Sequence, residues 1–325
     1  MTAPLPVGVI GVGVLGRHHA RHFAARADAR MVGVYDIDQV RAREVAAEWN
    51  TRAFDDVDQL LAEVRAVSIA VPTPVHAAVG LHALDRGVAV LMEKPLAATL
   101  EEADRLVGAA ARAGVPLQVG HVERFNRAIR AAKPYLEDIR YLESTRLAPF
   151  QPRGTDVAVV LDLMIHDLDL ILHLTGAPEA RDVRAVGVAV LSPHLDMVNA
   201  RVEFRTGTVA NVTASRMARE RVRRLRIFQP SGYFSLDLAA GGGDFVRLRE
   251  GWREAQGSSL EQIAERIPLE APEADALGLE LESFIRSVRG GHEVVVSGAE
   301  GRAALALALR VSEAVQRAPA LTPAT

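Results

Sequence analysis

The chain has 325 residues, of which 49% are apolar and 24% charged, enough for two domains that each bury a full core. A formal net charge of −3 excludes an electrostatic case for nucleic acid or an anionic membrane. The absence of cysteine excludes disulfides and thiolate metal sites and fits a reducing cytoplasm.

The chain runs at once into a short apolar strand at residues 7–10, and no uncharged apolar run approaches about 18 residues, so neither a signal peptide nor a membrane span is expected. Gly11-Val12-Gly13-Val14-Leu15-Gly16 follows, and residues 17–25 have helical character. Strand, G-x-G-x-x-G, then helix is the context of a dinucleotide-binding fingerprint: glycines permit a tight turn, and the helix N-terminus offers free amides to a pyrophosphate. A second strand at 31–35 ends in Asp36, where a carboxylate accepts from ribose hydroxyls and repels a 2′-phosphate. NAD is therefore expected over NADP.

Alternation continues with a helix over 38–49, a buried strand over 67–71, a Pro72-Thr73-Pro74 loop, and a helix over 76–86. The apolar strand 88–92 leads into Glu93-Lys94-Pro95, and a helix capped by Thr99, with Glu102 three residues on, stops at Gly114. A last strand occupies 115–119. Alternating strands and helices joined by short loops predict a doubly wound parallel sheet, a Rossmann domain spanning 1–120.

From residue 121 the pattern changes, and 121–325 is expected to form an α+β domain with a large open, mostly antiparallel sheet. A helix is expected to about residue 136, a strand over 140–147, and an amphipathic helix over 156–174. A series of strands then fills 181–249, including 197–204, 208–215, 225–229 and 233–238, with no long helix between them, which fits a sheet with one covered face. Residues 253–272 read as a loop, and helices over 273–289 and 300–316 close the chain. The arginine-rich run 216–226 carries six arginines partly alternating with apolar residues. It reads as a strand with a solvated or subunit-contacting polar face, with phosphate binding as the alternative.

Two positions carry chemistry. Only two of the 38 basic residues are lysine, Lys94 and Lys133. In a chain that writes nearly all positive charge as arginine, a lysine at the carboxyl end of a buried strand points to a compact ammonium whose pKa can shift. In the second half, Asp162 and His166 are four residues apart on an expected helix and share a face. His166 can then take a hydroxyl proton while Asp162 fixes its orientation. A buried polar contact is the competing reading of that pair. Asp167 and Asp169 fall on other faces as caps, solvated groups or arginine partners. The remaining histidines lack metal-site spacing, so no metal is expected.

Together these motifs resemble the glucose–fructose oxidoreductase / inositol dehydrogenase / MocA (Gfo/Idh/MocA) family over essentially the whole chain. The resemblance rests on Gly11-x-Gly13-x-x-Gly16-x-x-His19, Asp36, Val71-Pro72-Thr73-Pro74-x-His76, Glu93-Lys94-Pro95, Gly120-His121-x-x-Arg124-Phe125-Asn126 and Asp162-x-x-x-His166. It implies hydride transfer between a sugar or cyclitol carbon and a nicotinamide, with cofactor contacts from Gly11, Gly13, Val14, Leu15, Gly16, Asp36, Pro72, Thr73, His76, Glu93 and Lys94. Lys94 would stabilise charge on the reacting oxygen, and His166, assisted by Asp162, would be the general base. Within the family, the 120–126 and 162–167 segments look most like bacterial UDP-N-acetylglucosamine 3-dehydrogenases, which oxidise the sugar 3-hydroxyl to a ketone that a partner aminotransferase consumes. That implies substrate contacts from Lys94, His121, Arg124, Asn126, Arg153, Asp162 and His166, with Arg153 suited to a diphosphate, and a homodimer or homotetramer. An inositol or free-sugar dehydrogenase is one alternative; a non-catalytic NAD-binding sensor of the same fold is another.

Overall fold

In the computed structural model, which describes residues 3–151, 157–176, 179–254, 259–290 and 292–317, the glycine-rich run joins β1 (Leu5–Ile10) to α1 (Val14–Ala24). Alternation continues through β2 (Ala29–Tyr35), α2 (Gln39–Glu48), β3 (Arg52–Ala53), α3 (Val57–Glu63) and β4 (Ala66–Ile69). It ends with α4 (His76–Leu84), β5 (Ala89–Glu93), α5 (Leu100–Ala113) and β6 (Leu117–Gly120). The six strands form one sheet in the order β3-β2-β1-β4-β5-β6, every pair parallel. β4 and β5 are buried along their whole length, as a sheet covered on both faces requires. Strand order reverses between β1 and β4, the switch point outside which such sheets bind ligands. Local chemistry sets the boundaries: the Asp38 carboxylate accepts from the amides of Val40 and Arg41 to start α2, and left-handed Gly114 stops α5. Thr99 Oγ1 accepts the Glu102 amide, while the Glu102 carboxylate reaches back to the Ala98 amide, one residue beyond the cap.

The second unit begins with α6 (Arg127–Ala132) and β7 (Tyr141–Leu147). The helix expected over 156–174 is in its described part a π-helical turn, Val160–Met164, continuing into α7 (Ile165–Thr175). Then come β8 (Ala180–Val188), β9 (Met197–Phe204), β10 (Val209–Ser215), β11 (Val222–Gln229), β12 (Gly232–Asp237) and β13 (Gly242–Leu248). Residues 253–272, read from sequence as a loop, instead contain α8 (Leu260–Ile263) and β14 (Ala264–Leu269), and β14 pairs with β13. The eight strands run in the order β14-β13-β12-β11-β7-β10-β9-β8; β7 and β10 are parallel and all other neighbours antiparallel. Alternate residues of β7 are buried, so one face of the sheet is covered.

Two helices, α9 (Ala276–Val288) and α10 (Gly298–Arg317), close the chain. The described residues of Met1–Val122 and Ala274–Leu305 form one compact unit, and those of Glu123–Glu273 and Ala306–Thr325 the other. The segment Ala274–Leu305, counted with the second domain in the sequence reading, packs with the first because α9 buries Leu281, Phe284 and Ile285 in the core around Val7, Phe23 and Val34. Among the described residues no helix is long and apolar enough to cross a membrane.

In the second unit a buried carboxylate organises the turn after β8. Asp196 accepts the amides of Val190, Leu191 and Ser192 at 2.7, 2.6 and 3.1 Å, and the Ser192 hydroxyl at 2.9 Å. Burial pushes its pKa up, but those donors pull harder and bring it down to about 2. A folded-state pKa below the unfolded value means the stabilisation is complete above the ordinary carboxylate range and is lost as pH falls toward 2. Asp196→Asn is expected to lower Tm at neutral pH and to flatten the acid limb of a Tm-versus-pH curve; a curve parallel to wild type would remove Asp196 from acid stability.

Candidate active site

The turn after β1 is shaped by three glycines with different demands. Gly11 holds a left-handed φ of +83°, and a Cβ on Gly16 would lie 1.8 Å from the Gly11 carbonyl oxygen, so both are forced by the backbone. Gly13 is different: its nearest side-chain neighbour would be Arg41 Nη1, 3.8 Å from an added Cβ. Its missing side chain leaves space at the start of α1. That terminus has no side-chain cap and no acidic residue in its first turn, and Val14 and Leu15 are exposed beside it. Free amides, the positive end of a helix and open room suit a pyrophosphate. Gly13→Ala is therefore expected to fold with an unchanged Tm yet bind NAD about 10-fold or more weakly. Unaltered affinity in a fluorescence titration would remove the pyrophosphate from this turn.

At the end of β2 the buried Asp36 carboxylate accepts the Val12 amide at 2.8 Å and the Asp38 amide at 2.9 Å. It thereby ties the glycine turn to the second strand, and a carboxylate has acceptor sites beyond two amides. The neighbouring cation, Arg41, lies 3.9 Å from Asp36 and is held by Asp38 at 2.8 Å. Exposed Ile37 and Val40 offer apolar surface nearby in sequence, which suits an adenine ring.

After β4, Pro72 is exposed and Thr73 starts a short 3-10 turn leading into α4. His76 is buried, its ring nitrogens 2.8 Å from the carbonyl oxygens of Pro95 and Val71. Burial pushes the His76 pKa below its ordinary value against the pull of those carbonyls and Glu93. The ring ties the loop after β4 to the loop after β5. Glu93, also buried, lies 3.0 Å from His19 Nε2 and accepts the Lys94 amide at 3.2 Å, while His19 Nδ1 is 2.6 Å from Ser68 Oγ. His19 thus faces the Glu93 carboxylate with Nε2 and the Ser68 hydroxyl with Nδ1. Lys94 is half-buried at the carboxyl end of β5, its peptide bond to Pro95 cis. The backbone that carries the ammonium is thus anchored from α1 and β4.

In the second unit, Asp162 lies within the π-helical turn and His166 in the first turn of α7, both half-buried. The π turn interrupts the regular spacing assumed from sequence, and such insertions recur at functional sites. Asp167 and Asp169 are arginine partners. Arg124 grips Asp169 in a fork at 2.8 and 2.6 Å and places Nη1 3.2 Å from His173 Nδ1, with both charged side chains buried. Asn126, expected on substrate, caps α6 by accepting the Ala128 amide and donates to Glu123 and the Leu238 carbonyl. Both side chains are engaged within this unit, and the motif that carries them forms an internal brace. His121 is buried after β6, and Arg153 lies outside the described residues.

Sequence reasoning missed the centre of that brace. Arg146, buried on β7, donates to Asp167 at 2.6 and 3.2 Å and to Glu123 at 2.8 Å. Burial disfavours its charge, but the two carboxylates outweigh it and hold the guanidinium above its ordinary pKa. Beside it is a concavity lined by Arg146, Gln151, Asp162, Arg216, Arg221 and Arg223. The arginine-rich run was its one signal in the sequence. Among the described residues no cluster of histidine and acidic side chains is arranged for a metal ion.

A family model described as an oxidoreductase family with an NAD-binding Rossmann fold, Gfo/Idh/MocA, matches residues 5–121, and the Gfo/Idh/MocA C-terminal domain matches residues 135–235. UDP-N-acetylglucosamine 3-dehydrogenase of Acidithiobacillus ferrooxidans is 44% identical over 95% of this chain and 96% of its own length. Its solved structure superposes with a TM-score of 0.90 over 97% of this chain and 98% of that one. Myo-inositol 2-dehydrogenase of Thermotoga maritima is 26% identical over 95% of this chain and 96% of its own. GenD2 from gentamicin A biosynthesis, solved in complex with NAD, shares the fold at 20% identity and a TM-score of 0.82 over 98% of this chain and 95% of that one.

Proposed function

Because the chain belongs to the Gfo/Idh/MocA oxidoreductase family, we propose that it oxidises the 3-hydroxyl of UDP-N-acetylglucosamine to the 3-keto sugar with NAD. The observation that carries the substrate is the 44% identity, across nearly both whole chains, to a dehydrogenase of that name, against 26% to an inositol dehydrogenase. NAD is favoured over NADP because the Asp36 carboxylate repels a 2′-phosphate and Arg41 is already held by Asp38.

When bound, NAD supplies nicotinamide C4 as the hydride acceptor. The free amides at the start of α1 hold its pyrophosphate, and Asp36 accepts from its ribose. His166 takes the proton of the reacting hydroxyl, and Asp162 orients the ring for that transfer. Lys94 stabilises negative charge growing on the same oxygen, a group already fixed in place and so favourable to the transition state. Arg124 and Asn126 act on substrate only through the frame they brace. The product is a ketone, suited to an aminotransferase in a following step.

The deciding experiment follows nicotinamide absorbance with UDP-N-acetylglucosamine, UDP-glucose, glucose and myo-inositol, each with and without a keto-acid acceptor that regenerates any retained cofactor. Reduction with UDP-N-acetylglucosamine alone is expected. Turnover confined to myo-inositol or a free sugar would replace the substrate assignment, and NAD binding without reduction of any kind would make the chain a sensor.

A further inference from the structure

The concavity beside Asp162 is walled by four guanidinium groups, and their internal partners are unequal. Arg146 is fully engaged by Asp167 and Glu123. Arg216 is buried, donates to the Val157 carbonyl and lies 3.6 Å from Asp196. Both are structural. Arg223 stands directly opposite Arg146 in the antiparallel β11–β7 register, a like-charge cross-strand pair that costs stability unless an anion lies between. The anion present is shared: Glu123 Oε1 receives Arg146 at 2.8 Å and Arg223 at 3.2 Å, while its other oxygen accepts from Asn126. Burial, and next the charge of Arg146, push Arg223 below its ordinary pKa, the mark of a cation short of counter-charge. Arg221 is exposed and makes no ion pair among the described residues. It lies just ahead of β11, two residues before Arg223, and lines the same concavity.

We propose that Arg221 and Arg223 form the subsite for the diphosphate of the nucleotide sugar and so select a nucleotide sugar over a free sugar. The inference rests on the reading of this chain as a nucleotide-sugar dehydrogenase. Two planar forks lining one concavity match the paired, non-bridging oxygens of a diphosphate. Asp162 lines the same concavity, so an anion held there lies beside a residue proposed for the chemistry. The remaining arginines make the wall rigid, with their charges satisfied from behind.

The test uses the full chain with UDP as probe, Arg221→Met and Arg223→Met as variants, and NAD affinity as the control. Titration calorimetry gives the UDP Kd, and steady-state kinetics give KM and kcat for UDP-N-acetylglucosamine and for N-acetylglucosamine. Each variant is expected to weaken UDP binding and raise KM for the nucleotide sugar by about 10- to 100-fold. NAD affinity and the kinetics with free sugar should stay within about twofold. Arg221→Met removes an exposed side chain, so it keeps the test valid if Arg223→Met folds poorly. Wild-type turnover of the nucleotide sugar with both constants unchanged in Arg221→Met would overturn the subsite and leave the proposed function standing. A wild type that neither binds UDP nor oxidises the nucleotide sugar, but oxidises a free sugar, would overturn both.

Discussion

Replacing Lys94 with arginine is expected to lower kcat by about 10²- to 10⁴-fold while Tm stays near wild type. The substitution keeps the positive charge, so any loss reports what distinguishes the two side chains: a guanidinium is wider, planar and locked in its protonated form, whereas an ammonium is a compact point charge. The environment makes the distinction sharp. Lys94 is half-buried between buried Glu93 and Pro95, and its amide is anchored to a carboxylate that His19 contacts at 3.0 Å. A backbone held this firmly cannot shift to accommodate a wider head group, and a misplacement of about 1 Å at a reacting centre already costs about 10²-fold. Single-turnover kinetics with a fluorescence titration of NAD separates the outcomes. A kcat close to wild type would mean that charge alone is needed and that the lysine is an accident of composition.

The largest loss of stability is expected from Arg146→Met, at about 3–5 kcal/mol. Arg146 sits between Asp167 and Glu123, with all three side chains at 5% exposure or less. Methionine fills much of the volume but leaves two carboxylates buried together, and an uncompensated buried charge costs more than the intact pair contributes. Arg223 still touches Glu123 at 3.2 Å, so the orphaned group is chiefly Asp167. Adding Asp167→Asn should therefore recover part of the loss, which a double-mutant cycle in urea would read as a coupling energy. Additive losses would show that Arg146 acts by packing rather than by pairing with Asp167.

The brace explains where reading by local pattern succeeds and where it stops. The glycine turn, Asp36, the Thr99 cap and the stop at Gly114 were legible because each involves groups a few residues apart, or a strand end reached by a regular βα repeat. The strands at 197–204 and 208–215 were legible for the same reason, since alternation is a property of neighbouring residues. The roles of Arg124 and Asn126 were not. Their motif was visible, yet nothing within it says that one guanidinium finds Asp169, 45 residues on, or that one amide finds the Leu238 carbonyl, 112 residues on.

By itself the sequence determined the parallel nucleotide-binding half, the place of Lys94 at a strand end, and the mainly antiparallel second half. Tertiary structure alone decided that Ala274–Leu305 joins the first unit, that residues 264–269 extend the sheet as β14, and that a π turn carries Asp162. It also decided which arginines are braced and which line the concavity beside Asp162. The physical reason is one of range. Periodicity and capping are settled by nearby groups, whereas charge pairing depends on strand register, and register is set by the packing of the whole sheet.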